Sequence, residues 1–283
     1  MPRFECDIPK RWGDLDAQVH VNNARFVDYL QEARVDYLEH SENNHMLGNG
    51  VLVVRTELEF LRPIDFSEEP VRALVSVETL GGAKFSLGYE LWDDGELCAR
   101  ARTYLAPFDI NTGRVRRLTD AEREVFRRDL DPVVELRDVP RPRWGDEGHH
   151  SPIRVRWSDL DAYGHVNNAM FYDYIQEARM RTLKSVNRGA FAEKGQRLWM
   201  VVRQDIDYIT QLPFRHQPYD CVTVVPKLGN SSMTLAAELR DENGTVYAAA
   251  RTVLVCTDLS GRPVPLPEVV RNGLDPYRVE TDD

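Results

Sequence analysis

One segment of this chain occurs twice. Residues 11–39, RWGDLDAQVHVNNARFVDYLQEARVDYLE, return at 156–184 as RWSDLDAYGHVNNAMFYDYIQEARMRTLK, with 19 of 29 aligned positions identical at a constant offset of 145. What the copies keep is uneven. Asp14, Asp16, His20, Val21, Asn22 and Asn23 recur as Asp159, Asp161, His165, Val166, Asn167 and Asn168, whereas the outer face of the following helix has drifted. An internal duplication and a candidate reaction centre therefore share one segment. A chain of 283 residues is long enough to give each copy a domain with its own core.

The order of elements follows from periodicity. Residues 3–12 read as a short strand leading into the DLDAQVHVNN loop. Asn22 or Asn23 then suits an N-cap, because a short polar side chain there can accept from the free N–H groups of the first turn. Phe26, Tyr29, Leu30, Ala33, Tyr37 and Leu38 recur at three and four and predict one apolar stripe on a helix of about four turns. Strand-like runs follow at 51–61, 70–80, 84–92 and 96–108. In the last run Leu97, Ala99, Ala101, Thr103 and Leu105 share one side, while Arg100, Arg102 and Tyr104 share the other. Gly81-Gly82 and Asp94-Gly95 suit tight hairpins.

The second half repeats this order. Val201-Val202-Arg203 answers Val53-Val54-Arg55 at an offset of 148, so three residues separate the two helix-to-strand connections in length. Gly229-Asn230 and Asn243-Gly244 stand at the hairpins, and Val246, Ala248, Ala250, Thr252 and Leu254 form the last inward stripe. Thr119 with Glu122 is a capping box that predicts a short helix to about Arg128. The stretch 131–150, with Pro132, Pro140 and Pro142, reads as an extended tether. The expected organisation is a domain at 1–130, a linker at 131–150 and a second domain at 151–283, with the boundary near 145. A curved antiparallel sheet around one helix leaves an edge strand free, and two like units commonly solve this by joining edge to edge. Neither half is then expected to be stable alone.

Charge narrows the partners. The chain has 36 basic and 46 acidic residues, a net charge of −10, and no long basic cluster, so nucleic acid is not an expected partner. No run of 18 uncharged apolar residues occurs and the start MPRFECDIPKRW lacks an apolar stretch, so no membrane partner, span or signal peptide is expected. The expected location is the cytoplasm. Cys6, Cys98, Cys221 and Cys256 are far apart and never in a C-x-x-C pair, which favours reduced, buried thiols over a zinc knot or disulfide framework.

The repeated motif can do chemistry on its own terms. An Asp side chain is ordinarily ionised at neutral pH, so Asp16 or Asp161 could attack an acyl carbon or take a proton from water. A helix N-terminus offers free N–H groups and a favourable dipole to an oxyanion, and Asn22-Asn23 and Asn167-Asn168 stand where each helix opens.

The pattern RWSDLDAYGHVNNAMFYDYIQEAR, followed by IDY and a D-x-x-G-R-P-x-x-L-P tail, resembles the hotdog-fold acyl-CoA thioesterases of the 4-hydroxybenzoyl-CoA thioesterase type, over nearly the whole of each half. The resemblance implies an α+β fold of two tandem hotdog domains. Each is a long central helix wrapped by a curved antiparallel five-stranded sheet, the two are paired within one chain, and active sites lie along the seam. It implies an enzyme of lipid metabolism that hydrolyses acyl-CoA, with no cofactor beyond the CoA of the substrate. In this family the second Asp of D-x-D is the catalytic acid and the N–H seven residues on polarises the thioester carbonyl. Those positions are Asp16 with Asn23 and Asp161 with Asn168. The motif also resembles the D-x-N-x-H element of plant acyl-ACP thioesterases, which His20 and His165 fit. The middle Asn, however, is Gln18 in one copy and Tyr163 in the other. Val19 replaces the glycine seen at Gly164 and is expected to reshape the first loop, so the second site matches better.

Plainer roles stand beside these. Asp14 and Asp159 are expected to bond the turn's own backbone. His20 and His165 could equally hold the loop, and the Asn pairs could be caps alone. Arg55 and Arg203 are expected in ion pairs, as are the charges of Glu32-Ala33-Arg34 and Glu177-Ala178-Arg179. The Gly81-Gly82-Ala83-Lys84 and Gly229-Asn230-Ser231-Ser232 turns could meet the nucleotide of CoA or be hairpins only. No metal is expected, since no His/Cys/carboxylate set has ligand spacing. An acyl-ACP thioesterase, a hydratase of the same fold and a non-catalytic acyl-CoA-binding protein are the alternatives. Retention of Asp, His and both Asn in both copies speaks against the last. Acyl-chain preference and further homo-oligomerisation of the double unit are left open.

Overall fold

A computed structural model describes residues 3–132, 134–145, 147–161, 164–186 and 197–282. The chain forms two compact units, Met1–Leu136 and Arg137–Asp283. Tyr163 lies outside the described residues.

In the first unit, strand β1 (Phe4–Ile8) leads through a loop to helix α1 (Phe26–His40), a short helix α2 (His45–Asn49), and strands β2 (Val51–Phe60), β3 (Val71–Leu80), β4 (Phe85–Asp93) and β5 (Glu96–Asp109). All pairings are antiparallel, in the order β1-β3-β4-β5-β2, with the two-residue strand β6 (Arg114–Val115) returning on β5. The elements form because their periods agree with their lengths. Phe26, Tyr29, Leu30, Ala33, Tyr37 and Leu38 are all buried on α1, as the three-and-four spacing requires, and the helix packs against β1 and β3, where Val75 and Val77 are buried. Burying side chains of this size stabilises by ~1.5–3 kcal/mol each. Along β5, Ala99, Ala101, Thr103 and Leu105 are buried while Arg100, Arg102 and Tyr104 are half-buried. The Gly81 hairpin closes with Gly81 N–H donating to the Lys84 carbonyl (2.8 Å), and Asp94 and Gly95 both take positive φ (48° and 73°) at the next turn.

Helix α3 (Asp120–Arg128) opens on the expected box. The Thr119 hydroxyl accepts from Glu122 N–H, and the Glu122 carboxylate accepts from Thr119 N–H. Phe126 of this helix stacks on Phe85 at 4.5 Å.

The second unit repeats the plan with β8 (His149–Ile153), α4 (Met170–Val186), β9 (Leu198–Tyr208), β10 (Tyr219–Leu228), β11 (Ser232–Arg240) and β12 (Val246–Thr257). The sheet order is β8-β10-β11-β12-β9, again antiparallel. Helix α5 (Glu268–Leu274) follows, and two short strands, β7 (Arg141–Pro142) and β13 (Thr281–Asp282), pair with one another. Each unit is thus a hotdog unit, one long helix against a five-stranded antiparallel sheet.

The 131–150 stretch is not a bare tether. Val134 is buried, its N–H donates to Glu78 (3.0 Å) and its carbonyl accepts from Arg102 (2.6 Å). Further on, Arg143 pairs with Glu280 and Asp282 beside the β7–β13 ladder. Proline spacing gave the extended backbone but not these partners, which come from distant strands. The four cysteines are unpaired and buried, as expected.

Candidate active site

Each D-x-D segment folds into a loop closed by the same hydrogen bonds. In the first unit Asp16 N–H donates to the His20 carbonyl (2.8 Å), and Val19 N–H donates to the Asp16 carbonyl (3.1 Å). In the second, Asp161 N–H donates to the His165 carbonyl (2.7 Å), and Gly164 N–H to the Asp161 carbonyl (3.1 Å). The side chains close the loop again. Asp16 Oδ1 accepts from the N–H groups of Gln18 (2.7 Å) and His20 (3.3 Å), and Asp161 Oδ1 accepts from His165 N–H (3.1 Å). One carboxylate oxygen in each copy therefore shapes the turn, and the bond to its own backbone fixes where the carboxylate sits.

Val19 does not reshape its loop. It adopts the backbone of its glycine counterpart, with φ of 67° against 78° at Gly164, and the flanking hydrogen bonds are the same. The loop's bonds outweigh the strain of a β-branched residue in the left-handed region.

Asp14 and Asp159 bond the turn as expected, accepting from Arg11 N–H (3.0 Å) and Arg156 N–H (2.7 Å). Each also accepts a phenol from the helix: Tyr29 to Asp14 at 2.9 Å and Tyr174 to Asp159 at 2.6 Å. Burial, reinforced by these carboxylates, holds both phenols far above the usual tyrosine range. Sequence reasoning placed Tyr29 in the apolar stripe alone. The signal available was the same Tyr at the same offset behind an identical Asp.

The helix starts are built from both sides. Val21 N–H donates to the Ile64 carbonyl (2.9 Å) and Asn22 N–H to the Asp14 carbonyl (2.8 Å); Val166 and Asn167 do the same to Leu212 (3.2 Å) and Asp159 (2.9 Å). Asn22 and Asn167 are the caps, their carboxamide oxygens accepting from Ala24 N–H and Ala169 N–H, both at 3.0 Å. Asn23 and Asn168 come next, so their main-chain N–H groups belong to the first turn, where no intrahelical carbonyl can take them. The Asn168 carbonyl accepts from Tyr208 (3.2 Å).

The histidines differ. His20 Nε2 lies 3.5 Å from an Asp65 carboxylate oxygen, whereas the residue bridged to His165 is Pro213. Beside the first loop lies an open cleft of about 870 Å³ lined by Asp7, Asp65, Glu69, Asp93 and Asp94 among others. Lys10 is fully covered there, its ammonium 2.6 Å from Asp93. Two exposed tryptophans, Trp12 and Trp157, stand edge-on against Phe66 and Phe214 at the mouths of the loops. Arg55 and Arg203 pair with Glu57 and Asp205, both at 2.6 Å, as expected of them. Arg179 was expected in an ion pair and is instead buried with its Nη1 unbonded, because Glu177 turns outward to Arg181 (2.7 Å). Among the described residues no group of three or more His, Cys, Asp or Glu side chains is placed to hold a metal ion. No helix among them is long and apolar enough to cross a membrane.

Two hotdog units, each carrying a D-x-D loop against a capped helix start, define a thioesterase-type protein. The family model of the thioesterase-like superfamily matches residues 10–132 and again 155–274, and the chain belongs to that superfamily. Its class is that of a thioester hydrolase. Among characterised sequences, the long-chain acyl-CoA thioesterase FadM of Escherichia coli is 29% identical over 111 residues, 38% of this chain and 81% of FadM. The uncharacterised YsmA of Bacillus subtilis is 30% identical over 102 residues, 35% of this chain, and the match spans 65% of YsmA's length. Among solved structures, the 12:0-ACP thioesterase of Umbellularia californica superposes with a TM-score of 0.65 at 15% identity, over 90% of this chain and 97% of its own. That likeness is one of fold.

Proposed function

We propose that this chain hydrolyses acyl-CoA thioesters, with Asp16 and Asp161 as general base or nucleophile and the N–H groups of Asn23 and Asn168 as the oxyanion site. What supports this is that in both copies a carboxylate fixed by its own turn sits on a loop that is hydrogen-bonded, through Asp14 and Asp159, to the capped start of the helix. A water molecule attacks the acyl carbon as the carboxylate takes its proton. The carbonyl oxygen gains the electron pair and is held by the helix N–H, then returns it as the C–S bond breaks and CoA leaves as thiolate. A positioned base is typically worth about 10²–10⁴-fold, and one oxyanion donor about 3 kcal/mol. His20 and His165, on the same loops, serve as loop anchors that can also present a proton to the leaving sulfur. No metal or other cofactor enters this scheme.

Charge favours CoA at the second loop. Where the first unit has Asp7, Asp65 and Glu69 the second has Pro152, Pro213 and Gln217, and Arg215 and Arg240 replace Ser67 and Trp92. A polyanionic carrier is repelled less there. FadM, whose name specifies long-chain acyl-CoA, supports CoA over a carrier protein. The net charge of −10 acts in the same direction, since acyl carrier proteins are acidic and prefer basic docking faces. Four unpaired cysteines fit a reducing compartment such as the cytoplasm.

The test is release of free thiol from short, medium, long and aromatic acyl-CoAs and from acyl carrier protein thioesters, with Asp16→Asn and Asp161→Asn beside the unaltered chain. Asn keeps the loop-closing oxygen and removes the charge. A loss of two or more orders of magnitude with unchanged melting temperature supports the reading. Binding of acyl-CoA with no thiol release from any substrate sinks it.

A further inference from the structure

The two units differ along one flank of the central helix. Val27 and Arg34 stand seven residues apart on α1, two turns on one side, and their counterparts on α4 are Tyr172 and Arg179. In the first unit the arginine is only half-buried and has an oxygen near it, although that oxygen, the buried Tyr89 hydroxyl, makes no hydrogen bond among the described residues. Val27 is apolar, and Arg34 lies close enough to the Tyr89 hydroxyl of β4 to oppose the rise that burial imposes on it. In the second unit the strand position matching Tyr89 is Ala237, opposite Ala250 just as Tyr89 is opposite Ala101. The tyrosine that meets the arginine has gone, and its side-chain volume with it.

What remains is two buried polar groups with nothing to bond. Arg179 is 7% exposed and Tyr172 is 1% exposed, and neither Arg179 Nη1 nor Tyr172 Oη has a hydrogen-bond partner among the described residues. Burial alone pulls the Arg179 guanidinium down to about 10, so it is still charged at neutral pH. A buried charge without a partner is strongly unfavourable, and a buried unbonded hydroxyl is unfavourable to a lesser degree. Both point to an occupant that brings oxygen acceptors. Arg179 lies eleven residues beyond Asn168, ~16 Å along the helix, and its side chain leans back about one turn toward the N-terminus. The guanidinium therefore sits a medium-length chain away from the helix start.

We propose that the flank of α4 carrying Tyr172 and Arg179 binds the distal end of an acyl group that carries a carboxylate, making Arg179 a specificity determinant for ω-carboxyacyl thioesters. The carboxylate pairs with the guanidinium, and Tyr172 lines the same flank two turns nearer the helix start. This rests on the thioesterase reading above for its substrate, but the binding step does not.

Thiol release is measured for adipoyl-, suberoyl- and sebacoyl-CoA beside hexanoyl-, octanoyl- and decanoyl-CoA, with the intact chain and with Arg179→Met and Arg179→Lys. The expected result is a preference in kcat/KM of about tenfold or more for the carboxylated member of the best-matched pair. Arg179→Met reverses it and Arg179→Lys keeps part of it. Free suberate is also expected to raise the melting temperature of the intact chain and not of Arg179→Met. That variant removes an unpaired buried charge, so it folds at least as stably. If thioesters are cleaved with no discrimination that depends on Arg179, and suberate gives no Arg179-dependent shift, the inference fails while the hydrolase stands. If suberate stabilises only the chain with Arg179 and no thioester is cleaved, the site stands and the hydrolase reading fails.

Discussion

Tyr174 donates to Asp159 at 2.6 Å across fifteen residues of chain, tying the central helix to the loop that precedes it, and Tyr29 repeats the bond to Asp14 at 2.9 Å. The same Asp159 carboxylate accepts from Arg156 N–H and its carbonyl accepts from Asn167 N–H, so one residue joins the loop to the helix start. Removing the phenol leaves a buried carboxylate short of a donor. Tyr174→Phe is expected to cost about 1–3 kcal/mol, read by urea unfolding, and to lower kcat more than it raises KM, because the loop carrying Asp161 loosens.

Val19 and Gly164 give a matched pair of backbone tests. Gly164→Val is expected to destabilise by about 1–2 kcal/mol through strain at φ 78°. Val19→Gly is expected to stabilise by a smaller amount, since relief of strain is partly offset by the greater freedom of glycine in the unfolded chain. Thermal unfolding of the two variants checks the opposite signs.

Gly88 has no room for a side chain. A Cβ there would lie 2.2 Å from a Glu78 carboxylate oxygen, and Glu78 is buried against Arg102 (2.8 Å) and Val134 N–H (3.0 Å). Gly88→Ala is expected to displace Glu78 and cost about 3 kcal/mol or more. The second unit has Ala236 at this position and Pro226 in place of Glu78, and Ala236→Gly is expected to cost less than half as much. Denaturant midpoints of the two variants make the comparison.

Glu122 sets an acid limit. Burial pushes its carboxyl up, but two N–H groups of Arg116, the Thr119 N–H and His45 hold it down to about 2. Its folded value lies below its unfolded value near 4.5, so its contribution is fully present above that pH and is lost as pH falls toward 2. By linkage the loss is about 3 kcal/mol. Stability measured from pH 5 to pH 2 is expected to fall less steeply in Glu122→Gln than in the unaltered chain.

The sequence by itself determined the local and repeated features. Period three-and-four made α1 and α4, period two made the long strands, the Thr119–Glu122 box started α3, and the doubled D-x-D-x-x-x-H-V-N-N segment marked the site. These are legible because spacing alone decides which face a side chain occupies and which N–H a short polar side chain can reach. Tertiary structure alone decided who meets whom across the units' interiors. Val134 on Glu78 and the buried, unbonded Nη1 of Arg179 each depend on strands and helices distant in sequence. The energy of a buried polar group is set by the partners brought to it, and no spacing along the chain records whether one arrives.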